Sequence, residues 1–191
     1  MENDTQLEEK VYDEDLDNRV GNPGVVRLKE ILSTFNLRCE VDVEFKSKKT
    51  YCRGDVRAIS QPNLDADLIF EVEVRTEHYD AVLSGEFQTA HVLARKANDK
   101  NTADINISFD QDLKRFYAFS MDVARKFPID QTGRSNNGAG KVVRQAWANV
   151  PRKYIWFFSI DYDNKIIKPE LIGSNLHLFP IYVGSTWMQR I

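Results

Sequence analysis

Three carboxylates in two short stretches carry the strongest chemical signal in the chain. Asp55 lies in Arg53-Gly54-Asp55-Val56-Arg57, and Glu71 and Glu73 lie in Leu68-Ile69-Phe70-Glu71-Val72-Glu73-Val74-Arg75. The second stretch is apolar and β-branched, which suits a strand. Successive side chains of a strand point to opposite faces, so Phe70, Val72 and Val74 share one face and Glu71 and Glu73 the other. If the two stretches pair, Asp55 joins the glutamates in a three-carboxylate cluster. Clustered carboxylate oxygens suit a hard divalent cation such as Mg²⁺. The reaction class that such a cation serves is metal-assisted hydrolysis of a phosphodiester. The same alternation also describes the wet face of an ordinary half-buried strand. On that plainer reading Arg53, Arg57 and Arg75 pair with the acids as solvated ions.

The order Gly-Asp, a gap, then an apolar strand ending in Glu-x-Glu-x-Arg-Thr resembles the PD-(D/E)xK nuclease superfamily. That superfamily includes restriction endonucleases, junction resolvases and repair nucleases. Asp55 matches its Asp, Glu71 its (D/E), and Glu73 stands at its Lys position. Gly54 replaces the usual Pro, and some type II restriction enzymes are similar in carrying Glu where the Lys stands. The resemblance covers residues 24–76, and more loosely the segment to about residue 120. It implies an α/β, restriction-endonuclease-like core, a large mixed β-sheet flanked by few helices. It also implies a metal-dependent endonuclease that hydrolyses DNA, with Mg²⁺ or Mn²⁺ held by Asp55 and Glu71 and helped by the Val72 carbonyl. The catalytic group it implies is Asp55, Glu71 and Glu73. If residues 87–96 form a strand, Lys96 can approach these carboxylates and supply the cation missing at position 73, the alternative being that Arg95 and Lys96 are a solvated or phosphate-contacting end. A homodimer fits, because many relatives cut two strands with two subunits. The Lys-to-Glu departure keeps a second class of function open: a nuclease-like module that binds nucleic acid or protein without cutting. A β-rich binding domain with a wet glutamate pair is the third.

Length and composition fit one domain behind a tail. With 191 residues, 42% hydrophobic and 11% aromatic, the chain can bury a core without staples. Cys39 and Cys52 sit at apolar strand positions without zinc spacing, and read as reduced residues of a cytoplasmic protein. No signal-peptide pattern or membrane-length apolar run is visible. The net charge of −3 is unevenly spread: residues 1–19 hold eight acids against Lys10 and Arg19, a balance of −6, so the remainder carries +3. Residues 1–22 read as an acidic flexible tail and 23–191 as a single nuclease-like domain.

The elements that must position the carboxylates follow from periodicity. Val25, Leu28, Ile31, Leu32 and Phe35 predict a helix over 25–36. Glu30 lies off that apolar face and is a poor extra ligand. Strands are expected at 39–45, 51–59 and 68–75, so a helix followed by antiparallel strands opens the chain, as it opens the nuclease core. Residues 87–96 carry helix formers, yet Phe87, Thr89, His91 and Leu93 alternate, which favours a strand. Further strands are expected at 105–109, 115–119, 154–160, 165–167 and 176–183. The stretch Gln131 to Lys141 is rich in Gly, Asn and Arg and lacks the spacing of a phosphate-binding P-loop. It reads as a flexible surface loop in a basic neighbourhood, with Arg134, Lys141 and Arg144 as candidate nucleic-acid contacts. Trp147, Trp156 and Trp187 read as core.

Overall fold

The structure, a computed structural model, describes residues 22–34, 38–41, 55–59, 67–75, 79–93, 103–127, 129–136, 142–161, 166–171 and 173. The acidic-tail expectation therefore falls outside the described residues except at Asn22, its last residue, and so do Phe35, Cys52, Arg53, Lys96, Lys141, Trp187 and the strand expected at 176–183.

Helix α1, Asn22–Thr34, opens the described chain. Pro23 sits in its first turn, where the missing N–H costs no helical hydrogen bond. Leu28, Ile31 and Leu32 are buried while Glu30 is exposed and pairs with Arg27, as the spacing predicts. Each buried aliphatic side chain contributes about 1.5–3 kcal/mol. Gly24 sets how closely the helix lies on the sheet. A Cβ there would come within 2.8 Å of Val74 and 3.2 Å of Val72.

The strands under α1 are β1 (Cys39–Val41), β2 (Val56–Ala58) and β3 (Leu68–Arg75). They form an antiparallel run, and Val56 pairs with Phe70. The chain then leaves this sheet through helix α2 (Tyr79–Ser84) and β4 (Thr89–Leu93). It returns at β5 (Ile105–Asp110), which lies beside β3 and parallel to it. A parallel neighbour requires such a long crossover. β6 (Arg115–Ser120) pairs antiparallel with β5 across a turn built by Asp110, whose carboxylate accepts the N–H groups of Lys114 and Arg115. Helix α3 is a short turn, Met121–Ala124, capped by the Ser120 hydroxyl.

Next come β7 (Ile129–Asn136), β8 (Val142–Pro151), a single 3-10 turn at Arg152–Tyr154, β9 (Trp156–Asp161) and β10 (Ile166–Leu171). Two sheets result. One has seven strands in the order β1-β2-β3-β5-β6-β9-β10, and the other three in the order β4-β8-β7. The chain is thus α/β with a large mixed sheet and few helices.

Two cores separate the layers. Between α1 and the large sheet lie Leu28, Leu32, Phe70, Val72, Ile107, Phe116 and their neighbours. On the opposite face Tyr117, Phe119 and Phe157 pack with Tyr79 and Val82 of α2, Ala90 and Val92 of β4, and Ala148 and Val150 of β8. Arg152 ties the layers by donating to the last carbonyls of α2, those of Val82 and Leu83.

Two expectations from the sequence need correction. Residues 131–136 are strand, not loop: β7 runs through them and pairs with β8, with a register shift between Asp130 and Gly133. A bulge of this kind absorbs glycine inside a strand. The glutamate face of β3 is also not the wet face of an amphipathic strand. A second buried core forms on that side of the sheet, and Glu71 is only 3% exposed.

Candidate functional site

β3 places its acids where strand parity predicts. Phe70 and Val72 join the core under α1, so Glu71 and Glu73 point the opposite way. β2 pairs with β3 as required, and continuing that register sets Asp55 beside Glu71. Asp55 stands just ahead of β2. Its N–H donates to the Phe70 carbonyl at 2.7 Å, and its Oδ2 accepts the Val72 N–H at 2.7 Å. The carboxylate therefore closes the end of the β2–β3 ladder as well as standing next to Glu71. Asp55 is half-buried, and Arg57, two residues on, is exposed and paired with Asp67. Asp55 is thus partly open to solvent, while Glu71 beside it is buried.

Glu73 is differently placed. Its Oε2 accepts both Nε and Nη2 of Arg75, at 2.9 and 2.6 Å. Both side chains are 13% exposed. Arg75 also donates to the His91 carbonyl of β4 and lies 5.8 Å from the centre of the Trp147 ring on β8. It bolts β3 of the large sheet to the small one. Burial by itself would lower the Arg75 pKa, but Glu73 and its hydrogen bonds raise it, so the guanidinium stays charged. Trp147 is half-buried and serves as a platform for this cation.

Beside the acids runs a buried polar row that sequence reasoning missed. The parallel register pairs Glu71 with Asn106 and Glu73 with Ser108, and β6 sets Tyr117 opposite Ser108. Asn106 and Ser108 are fully buried. The Asn106 amide nitrogen donates to the Ser108 hydroxyl at 3.0 Å, and the amide oxygen accepts no hydrogen bond from the described residues. The signal was present in Ile105-Asn106-Ile107-Ser108-Phe109, whose polar positions alternate in phase with Glu71 and Glu73. It becomes legible only once β5 is known to lie parallel to β3.

His91 is half-buried, with its Nδ1 2.6 Å from Asn149 Oδ1. Arg134 and Arg144 stand directly opposite each other in the β7–β8 ribbon. Among the described residues, no group of three His, Cys, Asp or Glu gathers as a metal site. None of their helices is long and apolar enough to cross a membrane.

The buried tyrosines give the fold a pH signature. Burial pushes the phenols of Tyr79 and Tyr117 up, and Arg115 over the first and Arg75 near the second pull back. A folded-state pKa above the unfolded value means that the folded chain holds protons the unfolded chain has released. Stability is then fully present below the ordinary tyrosine value of about 10 and falls as pH rises beyond it. Melting temperature is expected to drop above about pH 10, and Tyr117→Phe is expected to flatten that drop. Thermal melts on both proteins across this range check it, and an equally steep fall in the variant would contradict it.

Set against known protein families, curated proteins and solved structures, the chain matches none of them.

Proposed function

We propose that the chain is a divalent-metal-dependent endonuclease acting on DNA, with Asp55 and Glu71 as its metal-binding acids. The observation that carries this reading is the placement of Asp55 beside a carboxylate that is only 3% exposed. Burying a carboxylate is costly, and a strand with a merely structural polar face has no need to bear that cost. The element order supports it too: a helix, then antiparallel strands with the Asp at the start of one and Glu-x-Glu on the next.

Two carboxylates are enough for the cation in question. Mg²⁺ keeps several waters and binds through one or two carboxylates together with substrate phosphate. When bound, the cation polarises the scissile phosphate and lowers the pKa of a bound water. The chain's own residues supply the rest. Asp55 is fixed by its bond to the Val72 N–H, so its second oxygen is held at a defined angle. Glu71 is fixed by the strand and its packing. Glu73, clasped by Arg75, acts as a positioning residue that holds β3 against the small sheet.

The DNA contact falls to the β7–β8 ribbon. Arg134 and Arg144 are register partners in it, which sets two basic residues at one rung of the ribbon. Paired basic positions suit the phosphate backbone of a polyanion. Replacing both arginines by alanine is expected to weaken DNA binding uniformly across sequences. It should also reduce the slope of log affinity against log salt by about 0.9 for each phosphate no longer neutralised. A filter-binding series in rising salt measures this, and an unchanged slope would remove the ribbon from the interface.

The observation that favours the second reading, a nuclease-like module that binds without cutting, is the direction of Arg75. Its hydrogen bonds go to Glu73 and to the β4 backbone. Nicking of a supercoiled plasmid in Mg²⁺ and in EDTA separates the two readings. Binding without nicking in either condition supports the module.

A further inference from the structure

Asn106 is a buried polar side chain with one atom left without a hydrogen-bond partner among the described residues. It is 0% exposed, yet its amide oxygen accepts no hydrogen bond from them. Leaving a buried acceptor unsatisfied costs about 1–3 kcal/mol, so native folds rarely keep one without a use. An apolar residue at this place in Ile105-Asn106-Ile107 would avoid the cost and suit the strand better.

Its position names the use. Asn106 is the parallel-register partner of Glu71, on the strand next to β3, and the two strands run about 4.8 Å apart. Ile105 and Ile107 belong to the core under α1, so Asn106 shares the opposite face with Glu71. Ser108, which takes the amide N–H bond, fixes the rotamer. The nitrogen is thereby turned to Ser108 and the oxygen away from it. An amide oxygen is a hard, neutral donor of the kind that completes a carboxylate site for Mg²⁺ or Mn²⁺.

We infer that Asn106 supplies its amide oxygen to the cation held by Asp55 and Glu71, as a third protein ligand from a strand outside the Asp and Glu-x-Glu stretches. The inference rests on the metal-dependent reading of the Asp55–Glu71 pair. It adds a neutral ligand, so the site gains a donor without a third negative charge. Asp55 from the turn before β2, Glu71 from β3 and Asn106 from β5 would together hold the cation, from neighbouring positions of one sheet.

Binding of Mn²⁺ to the full chain, followed by the loss of the free-ion electron paramagnetic resonance signal, tests this without requiring cleavage. Asn106→Leu removes the oxygen at similar volume and is expected to weaken Mn²⁺ binding at least about 10-fold. Its metal-free melting temperature should equal or exceed that of the wild type, because the orphaned acceptor is gone. Asn106→Asp keeps the oxygen and adds charge, and is expected to tighten binding about 10-fold. Mn²⁺ affinity of Asn106→Leu within about twofold of wild type, with Glu71→Gln losing the ion, overturns the inference and leaves the metal reading standing. Should Asn106→Leu not fold, Asn106→Asp decides, and unchanged or weaker binding counts against the ligand role. A wild-type chain that takes up no Mn²⁺ at millimolar concentration overturns the metal reading and this inference together.

Discussion

Asp55→Asn and Glu71→Gln are each expected to lower metal-dependent DNA cleavage at least about a thousandfold, a loss of about 4 kcal/mol of transition-state stabilisation. Each replaces a charged ligand by a neutral amide of the same shape, so the metal loses charge while the packing is kept. DNA binding in the absence of metal is expected to be unchanged, because the surface assigned to DNA lies on the β7–β8 ribbon. Asp55 has a second job that separates its variants. Its Oδ2 accepts the Val72 N–H at the end of the β2–β3 ladder. Asparagine keeps an oxygen for that bond, whereas alanine leaves the N–H without this partner. Asp55→Ala is therefore expected to lose cleavage and also about 1–3 kcal/mol of stability, while Asp55→Asn loses cleavage alone. Plasmid nicking and thermal melts on the same preparations measure both. If Asp55→Asn still cuts, Asp55 is a ladder cap and not a ligand.

The second large effect falls on stability. Arg75→Met is expected to cost about 3–5 kcal/mol, because it takes the Arg75 guanidinium away from the Glu73 carboxylate in a largely buried place. For a chain of this length that is a fall in melting temperature of about 10 °C. The loss has three parts: the paired bonds to Glu73, the bond to the His91 carbonyl, and the stacking on Trp147. The double variant Glu73→Leu/Arg75→Met removes both charges and is expected to recover much of the stability, since a buried ion pair gains little over an apolar pair of similar volume. Urea melts on the two single variants and the double give the coupling directly. A double variant as unstable as the sum of the singles would show that the two residues act independently.

Much of the central sheet is legible in the sequence because its strands announce themselves by alternation. Leu68 to Arg75 is a strand from end to end, and the parity of Glu71 and Glu73 against Phe70 and Val72 is as expected. The helix face through Leu28, Ile31 and Leu32 follows from 3.6-residue spacing, and the alternation at Thr89 to Leu93 outweighs its helix-forming residues. Alternation tells which residues share a face, but not what lies on that face. The second core on the glutamate side is assembled from α2, β4 and β8, drawn from segments scattered over some seventy positions. No local pattern around Glu71 encodes them, so its burial cannot be foreseen from the chain alone. β7 escapes for a different reason. Gly133, Asn136 and their neighbours lack the residues that favour strands, and only pairing with β8 and the register shift after Asp130 make a strand of them. Asn106 is hidden because its neighbour in space, Glu71, is thirty-five residues away in sequence and on a parallel strand.

Cleavage of supercoiled plasmid by the wild-type chain in Mg²⁺, in Mn²⁺ and in EDTA, beside Glu71→Gln, tests the proposed function most directly. Nicked and linear products are predicted with either metal, none in EDTA, and none from the variant. Intact plasmid under every condition, from a folded protein that retains its DNA binding, would contradict the assignment.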